Sequence, residues 1–207
     1  MGDGFRLISG GRAWAGLACL LGASALLCWP LPAPWLDWQP ALAWSQPWRA
    51  FTAACVHWST LHLLANLLAT AVVCAYGVAA GVPLSCTAAW AVAWPLGHLL
   101  LLAAKPELLH YGGLSGVLHA GVAIVSAWLL CQQRGRRQAV GAAIALGLLI
   151  KLASEAPWGP ALRHSADWDI ALAPIAHACG AAAGLLSFLL LGGLKRQHRV
   201  AGLNVPP

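Results

Sequence analysis

Charge is what this chain has least of. Six acidic and twelve basic residues among 207 make 9%, against 60% hydrophobic residues and a mean hydropathy of +0.72. Such scarcity excludes an ordinary soluble domain, in which about a quarter of the residues carry charge. A basic run or stripe is missing as well, so the net charge of +6 points to no nucleic-acid partner. Metal-ligand spacing is absent among the seven cysteines, at 19, 28, 55, 74, 86, 131 and 179, and no zinc or redox centre is read from them. They read as small apolar helix residues; only Cys28 and Cys55 are placed so that a bridge near the outer surface is compatible with the topology below.

What is present is apolar sequence in long runs, approximately 13–30, 57–76, 84–104, 114–131, 138–154 and 171–192. Each approaches or reaches the roughly 20 residues that span a bilayer as a helix. Lipid offers no partner to a free backbone group, so such runs are helices unless they close into a barrel, and they lack the alternation of barrel strands. The first run lacks a small-residue cleavage site and is kept as a helix rather than a removed signal peptide. The expectation is an all-α membrane protein, one domain over residues 1–207, with short tails at about 1–12 and 194–207.

Orientation follows from the basic residues. Arg6, Arg12, Arg134, Arg136, Arg137, Lys195, Arg196 and Arg199 fall on one side, which the positive-inside tendency makes cytoplasmic. The other side holds Arg49, Lys105, Lys151 and Arg163 with five of the six acidic residues. Both termini are thus expected in the cytoplasm. Trp29, Trp35, Trp38, Trp44, Trp48 and Trp58 crowd the first outer connection, where amphipathic rings favour the headgroup level.

That topology sends the second, fourth and sixth spans into the membrane from the outer side, and their first turns share one depth. They bring His57, His62 and Asn66, then Ser115, then His177. Intramembrane ionisable groups are costly and usually functional. A serine hydroxyl attacking an acyl group needs a base and donors for the oxyanion. Ser115 is the expected nucleophile and His177 the base; unpaired amides at the start of the fourth helix, with the side chains of His62 and Asn66, are the expected donors. No acidic residue lies in the second, fourth or sixth span, so the sequence predicts a serine-histidine dyad without a carboxylate. The plainer competitor treats Ser115 and its glycines as helix packing and His177 as a structural hydrogen-bonder.

These residues resemble the rhomboid intramembrane serine proteases. The resemblance rests on four motifs in order: Trp48-Arg49; His57-Trp-Ser-Thr-Leu-His62-Leu-Leu-Ala-Asn66; Gly113-Leu-Ser115-Gly116; and Ala176-His177-Ala-Cys-Gly180-Ala-Ala-Ala-Gly184. It implies a six-helix rhomboid-like bundle, Ser115 and His177 as catalytic residues, and an oxyanion and binding side formed by His62, Asn66, the Ser115 amide and Gly113. His119 and His57 are expected around this centre. The short chain, Tyr111-Gly-Gly-Leu-Ser-Gly-Val-Leu-His119 and Lys151-Leu-Ala-Ser-Glu155 look like the rhombosortase branch. That implies, as partners, bacterial single-pass proteins with a C-terminal Gly-Gly motif, an apolar helix and a basic tail, cut near the outer face of the inner membrane. No cofactor and no metal is expected. Many rhomboids carry a tyrosine four residues after the serine, stacked on the histidine; here His119 stands there, and as a same-helix neighbour of Ser115 it is an alternative base. Lys151 and Glu155, four apart, are expected to form a stabilising pair.

Two other readings remain open from the sequence. His57, His62, His119 and His177 on facing helices suit haem or metal binding in a transport protein, and a rhomboid without activity would bind membrane proteins without cutting them.

Overall fold

The computed structural model describes residues 2–192 as helices and connecting loops. Helix α1 (Gly2–Cys28) leads into a long loop with two one-turn helices, α2 (Ala33–Leu36) and α3 (Arg49–Thr52). Then follow α4 (Thr60–Ala80), α5 (Leu84–Ala104), α6 (Ser115–Gln132), α7 (Arg136–Ser154) and α8 (Pro174–Ser187), the last continued by a π-helical turn, Phe188–Gly192. Among the described residues six helices are long and apolar enough to cross a membrane, within Gly10–Cys28, Thr60–Ala80, Leu84–Ala104, Ser115–Gln132, Arg136–Ser154 and Pro174–Leu191. These are the six spans expected from the sequence, with shifted ends. The helix at the start begins at Gly2, well ahead of the apolar run at 13–30, while the expected tail at 194–207 lies outside the described residues.

Local chemistry explains the boundaries that matter for the site. Ser59 caps α4 by accepting the His62 amide at 3.1 Å, satisfying one of the unpaired donors of the first turn. Gly81 ends α4 with φ 60, a left-handed conformation that costs glycine little. Pro174 opens α8 at a first-turn position, where its missing N–H removes nothing.

Helix α6 runs through the middle, packed by α4, α5, α7 and α8, and its buried residues include a set of small ones, Gly116, Ala120, Gly121, Ala123 and Ala127, among larger aliphatic side chains. Lipid gives no hydrophobic drive for one helix to join another, so close approach of backbones must supply the attraction. Gly180 and Gly184 on α8 supply it, since a methyl on either would fall on the α6 backbone, at Gly116 and Ala120. The tryptophans of the core also meet the demand that lipid places on polar groups. Trp14 stacks on Trp90 with ring centroids 4.2 Å apart, and their indole N–H groups donate to the carbonyls of Val73 and Val117 at 3.0 and 2.8 Å. Helix α7 is different: Gly141, against Leu129 and the Ser126 carbonyl, is its one buried residue. It leans on α6 and barely meets α8.

The loop between α1 and α4 is pinned by a buried carboxylate. Asp37, fully buried, pairs with the Arg49 guanidinium at 3.0 Å and with His110 Nδ1 at 2.6 Å, and accepts from Gln39 at 2.7 Å. Arg49 also donates to the Asp37 and Pro34 carbonyls and to Gln46. A buried charge persists only when paired and hydrogen-bonded, and here every partner draws the loop onto one point. Trp38 and Tyr111 then exchange backbone hydrogen bonds of 2.7 and 2.9 Å. The loop is thereby tied to the strand-like stretch that delivers Ser115.

Candidate active site

Ser115 is the first residue of α6, reached through a backbone that only glycine adopts readily. Gly113 has φ 132, a region that penalises a Cβ, and its N–H donates to the Ala53 carbonyl at 2.9 Å. The turn leaves Ser115 at the positive end of α6, facing α8. His177 lies one turn before Gly180, so the close contact of α6 and α8 that Gly180 permits also fixes how near the two side chains come. Ser115 Oγ is 3.0 Å from His177 Nε2.

The other nitrogen of His177 has a partner the sequence reading left out. Its Nδ1 lies 2.7 Å from Oε2 of Glu155. A carboxylate accepts and an imidazole nitrogen bearing hydrogen donates, so Nδ1 carries the proton and Nε2 is left as the acceptor for the serine hydroxyl. The sequence predicts no carboxylate beside the pair, and the structure brings one to His177. No acidic residue lies in the second, fourth or sixth span, and Glu155 sits just past the end of α7, where the turn at 155–159 carries it beside α8. The expected Lys151–Glu155 pair forms too, through the other oxygen, Oε1. Burial by itself pushes the Glu155 carboxyl up, but the hydrogen bond and attraction of His177, then those of Lys151, outweigh it and bring it down to about 2.

His62 and Asn66 approach the same turn from α4, on which four-residue spacing gives them one face. The Trp58 amide donates to His62 Nδ1 at 3.4 Å, which leaves Nε2 as the donor. A Cβ placed on Gly113 would lie 2.8 Å from that Nε2 and 4.0 Å from Asn66 Nδ2, so both nitrogens face the Gly113–Ser115 turn. Asn66 Nδ2 spends one hydrogen on the His62 carbonyl at 3.1 Å, and Thr70 donates to the Asn66 carbonyl at 2.7 Å; the other amide hydrogen stays available. Three kinds of donor converge here: an imidazole N–H, a carboxamide N–H and the first amides of α6.

His119 stacks flat on His177, with centroids 4.3 Å apart and planes 10° from parallel. Its Nδ1 donates to the Ser115 carbonyl at 2.6 Å. The histidine thus packs as an aromatic plate behind His177, and its hydrogen-bonded nitrogen meets the serine backbone rather than the hydroxyl. His57 lies farther out, its ring 4.8 Å from His62, with Nδ1 donating to the Cys55 carbonyl at 3.2 Å. Burial lowers its pKa, against the opposing hydrogen bond to Cys55. Tyr111 is buried alongside, and burial, partly offset by Ser115 and the Gly116 backbone, pushes its phenol up to about 12. Of the other histidines, His110 is the partner of Asp37 and His98 packs against the rings of Trp38 and Tyr111. Cys28 and Cys55 are free thiols.

Two openings reach the centre. A cavity of about 40 Å³ touches Trp58, His62, Tyr111, Ser115 and His177 under the segment 170–173, and a polar vestibule of about 470 Å³ extends from His177 and Glu155 to Arg163, Asp167 and Trp168. Sideways, an apolar cleft of about 620 Å³ opens between α4 and α7 down to His119 on α6. An imidazole on the hydroxyl, a carboxylate behind that imidazole and N–H donors facing the same turn are the equipment of acyl transfer.

No curated protein sequence matches the chain. A family match does: residues 44–193 correspond to the Rhomboid domain, a stretch that begins in the loop between α1 and α4, takes in five of the six spans and carries every side chain drawn around Ser115, and the chain therefore belongs to the rhomboid family.

Proposed function

We propose that this chain is an intramembrane serine endopeptidase, with Ser115 as nucleophile and His177 as general base. The observation that carries the reading is the 3.0 Å contact between Ser115 Oγ and His177 Nε2 at a helix start faced by His62 and Asn66. Ser115 Oγ attacks the scissile carbonyl as its proton passes to His177 Nε2. The oxyanion is held by His62, Asn66 and the Ser115 amide. Collapse breaks the C–N bond, the leaving amine takes the proton from His177, and an acyl-enzyme remains. Water, losing a proton to the same nitrogen, then attacks the ester and restores the hydroxyl. The polar vestibule beside His177 supports a supply of that water, which lipid does not provide.

A membrane helix conceals its carbonyls in its own hydrogen bonds, so a substrate must unwind locally before it is cut. The lateral cleft, and an α7 that packs on α6 and meets α8 little, support an approach from lipid between α4 and α7. The rhombosortase-like motifs Tyr111–His119 and Lys151–Glu155 support the narrower proposal: single-pass proteins with a C-terminal Gly-Gly motif, an apolar helix and a basic tail, cut near the outer face of a bacterial inner membrane. The haem or metal reading loses ground at His177, whose two ring nitrogens are both engaged.

Co-expression with such a Gly-Gly-tailed protein, followed by mass measurement of its C-terminus, tests the reading. A trimmed product that depends on Ser115 is expected. Cleavage of generic single-pass substrates with the Gly-Gly tail left whole overturns the branch, and a full-length tail with no substrate cut overturns the activity.

A further inference from the structure

We infer that Glu155 is a positioning residue for this reaction, acting through His177, so that the centre works as a Ser115–His177–Glu155 triad; the inference rests on the proposed protease reading. Its carboxylate accepts the Nδ1 proton of His177 at 2.7 Å while Nε2 meets Ser115 at 3.0 Å, an arrangement in which the imidazole is held at both ends. An imidazole alone exchanges its proton between two nitrogens, and only the tautomer with a bare Nε2 can take the serine proton. An acceptor fixed on Nδ1 selects that tautomer, fixes the ring plane and stabilises the imidazolium that forms in the transition state; the carboxylate itself stays ionised. Lys151 on Oε1 and His119 against the ring face complete the mounting.

A plain helix-end pair would not need this geometry. A Lys151–Glu155 pair serving α7 alone would leave Oε2 to water, yet Oε2 is the atom aimed across the gap to α8. Helix α7 otherwise makes little contact with α8, so this hydrogen bond is a principal link between them. Movement of α7 on opening the lateral cleft would carry Glu155 with it, and the base is complete when the helix is seated.

The test compares Glu155→Gln, Lys151→Met and Ser115→Ala in detergent or bilayers, using a Gly-Gly-tailed transmembrane reporter and nitrogen-15 spectra of labelled histidine, with His177→Ala assigning the resonance. Glu155→Gln is expected to lower kcat by about 10²–10⁴-fold with KM changed less than about threefold, and His177 to lose its single Nδ1–H tautomer. Lys151→Met should cost less than about tenfold and keep the tautomer, because the Glu155–His177 bond survives. Should Glu155→Gln fail to fold, Glu155→Asp, with the charge retained and the reach shorter by one methylene, is expected to lose about 10–100-fold in kcat. Equal losses in Glu155→Gln and Lys151→Met with an unchanged spectrum, or full kcat in Glu155→Gln while Ser115→Ala is dead, overturn the assignment of Glu155 alone. Cleavage that persists in Ser115→Ala overturns the protease reading instead, and the spectrum still reports whether Glu155 selects the tautomer.

Discussion

Gly180→Ala is a small change with a large expected consequence. Gly180 faces Gly116 across the closest contact of α6 and α8, and a methyl built there falls on the Gly116 carbonyl. Two backbones cannot share that volume. Ordinary carbon contacts lie near 3.5–4.0 Å, so α8 must retreat by on the order of 1 Å. His177 is one turn away on the same rigid helix and retreats with it, stretching a 3.0 Å hydrogen bond beyond useful reach. Displacement of that size costs about 10²-fold in rate, and the overpacking about 1–3 kcal/mol in stability. The assay is the rate at which a fluorophosphonate labels the protein, run beside thermal unfolding in the same detergent. Gly16→Ala is the control, since nothing lies within 4 Å of the position. A Gly180→Ala protein labelled within about threefold of the parent rate would refute the argument that helix proximity sets the Ser115–His177 distance.

Other outcomes follow from the same geometry. His62→Ala and Asn66→Ala each remove an oxyanion donor and are expected to lower kcat for reporter cleavage by about 10²–10³-fold with little change in KM. Glu155 has a carboxyl depressed from 4.5 to about 2; a depressed folded pKa stabilises above the unfolded value and is lost as pH falls through the folded one. The Tm advantage of the parent over Glu155→Gln should therefore be full above about pH 4.5, shrink below it and vanish near pH 2, as read by thermal unfolding across that range. Asp37→Ala strands the buried Arg49 charge and should destabilise by about 3–5 kcal/mol, with part of the loss recovered in Asp37→Ala/Arg49→Met, measured by denaturation of both variants.

The bundle was legible because lipid simplifies the code: a run of about 20 apolar residues has one regular way to satisfy its backbone. Ser115, His177, His62 and Asn66 were legible for a related reason. Polar groups at membrane depth are few, and charge topology places those four together. Glu155 was not, because it belongs to a loop whose course no periodicity records; the i, i+4 spacing to Lys151 explained it well enough locally to hide its second partner. Asp37 and His110 are 73 residues apart, and neither lies in a motif, so their pairing is a product of tertiary folding. A signal was available in both cases: an acidic residue is rare in this chain, and each of the six asks where its charge goes.

The central claim is that Ser115 is a nucleophile activated by His177. Fluorophosphonate labelling of the folded protein followed by peptide mass mapping tests it most directly. One adduct is expected, on Ser115, abolished in Ser115→Ala and in His177→Ala. An adduct on another residue, or labelling that is the same in Ser115→Ala as in the parent, would contradict it.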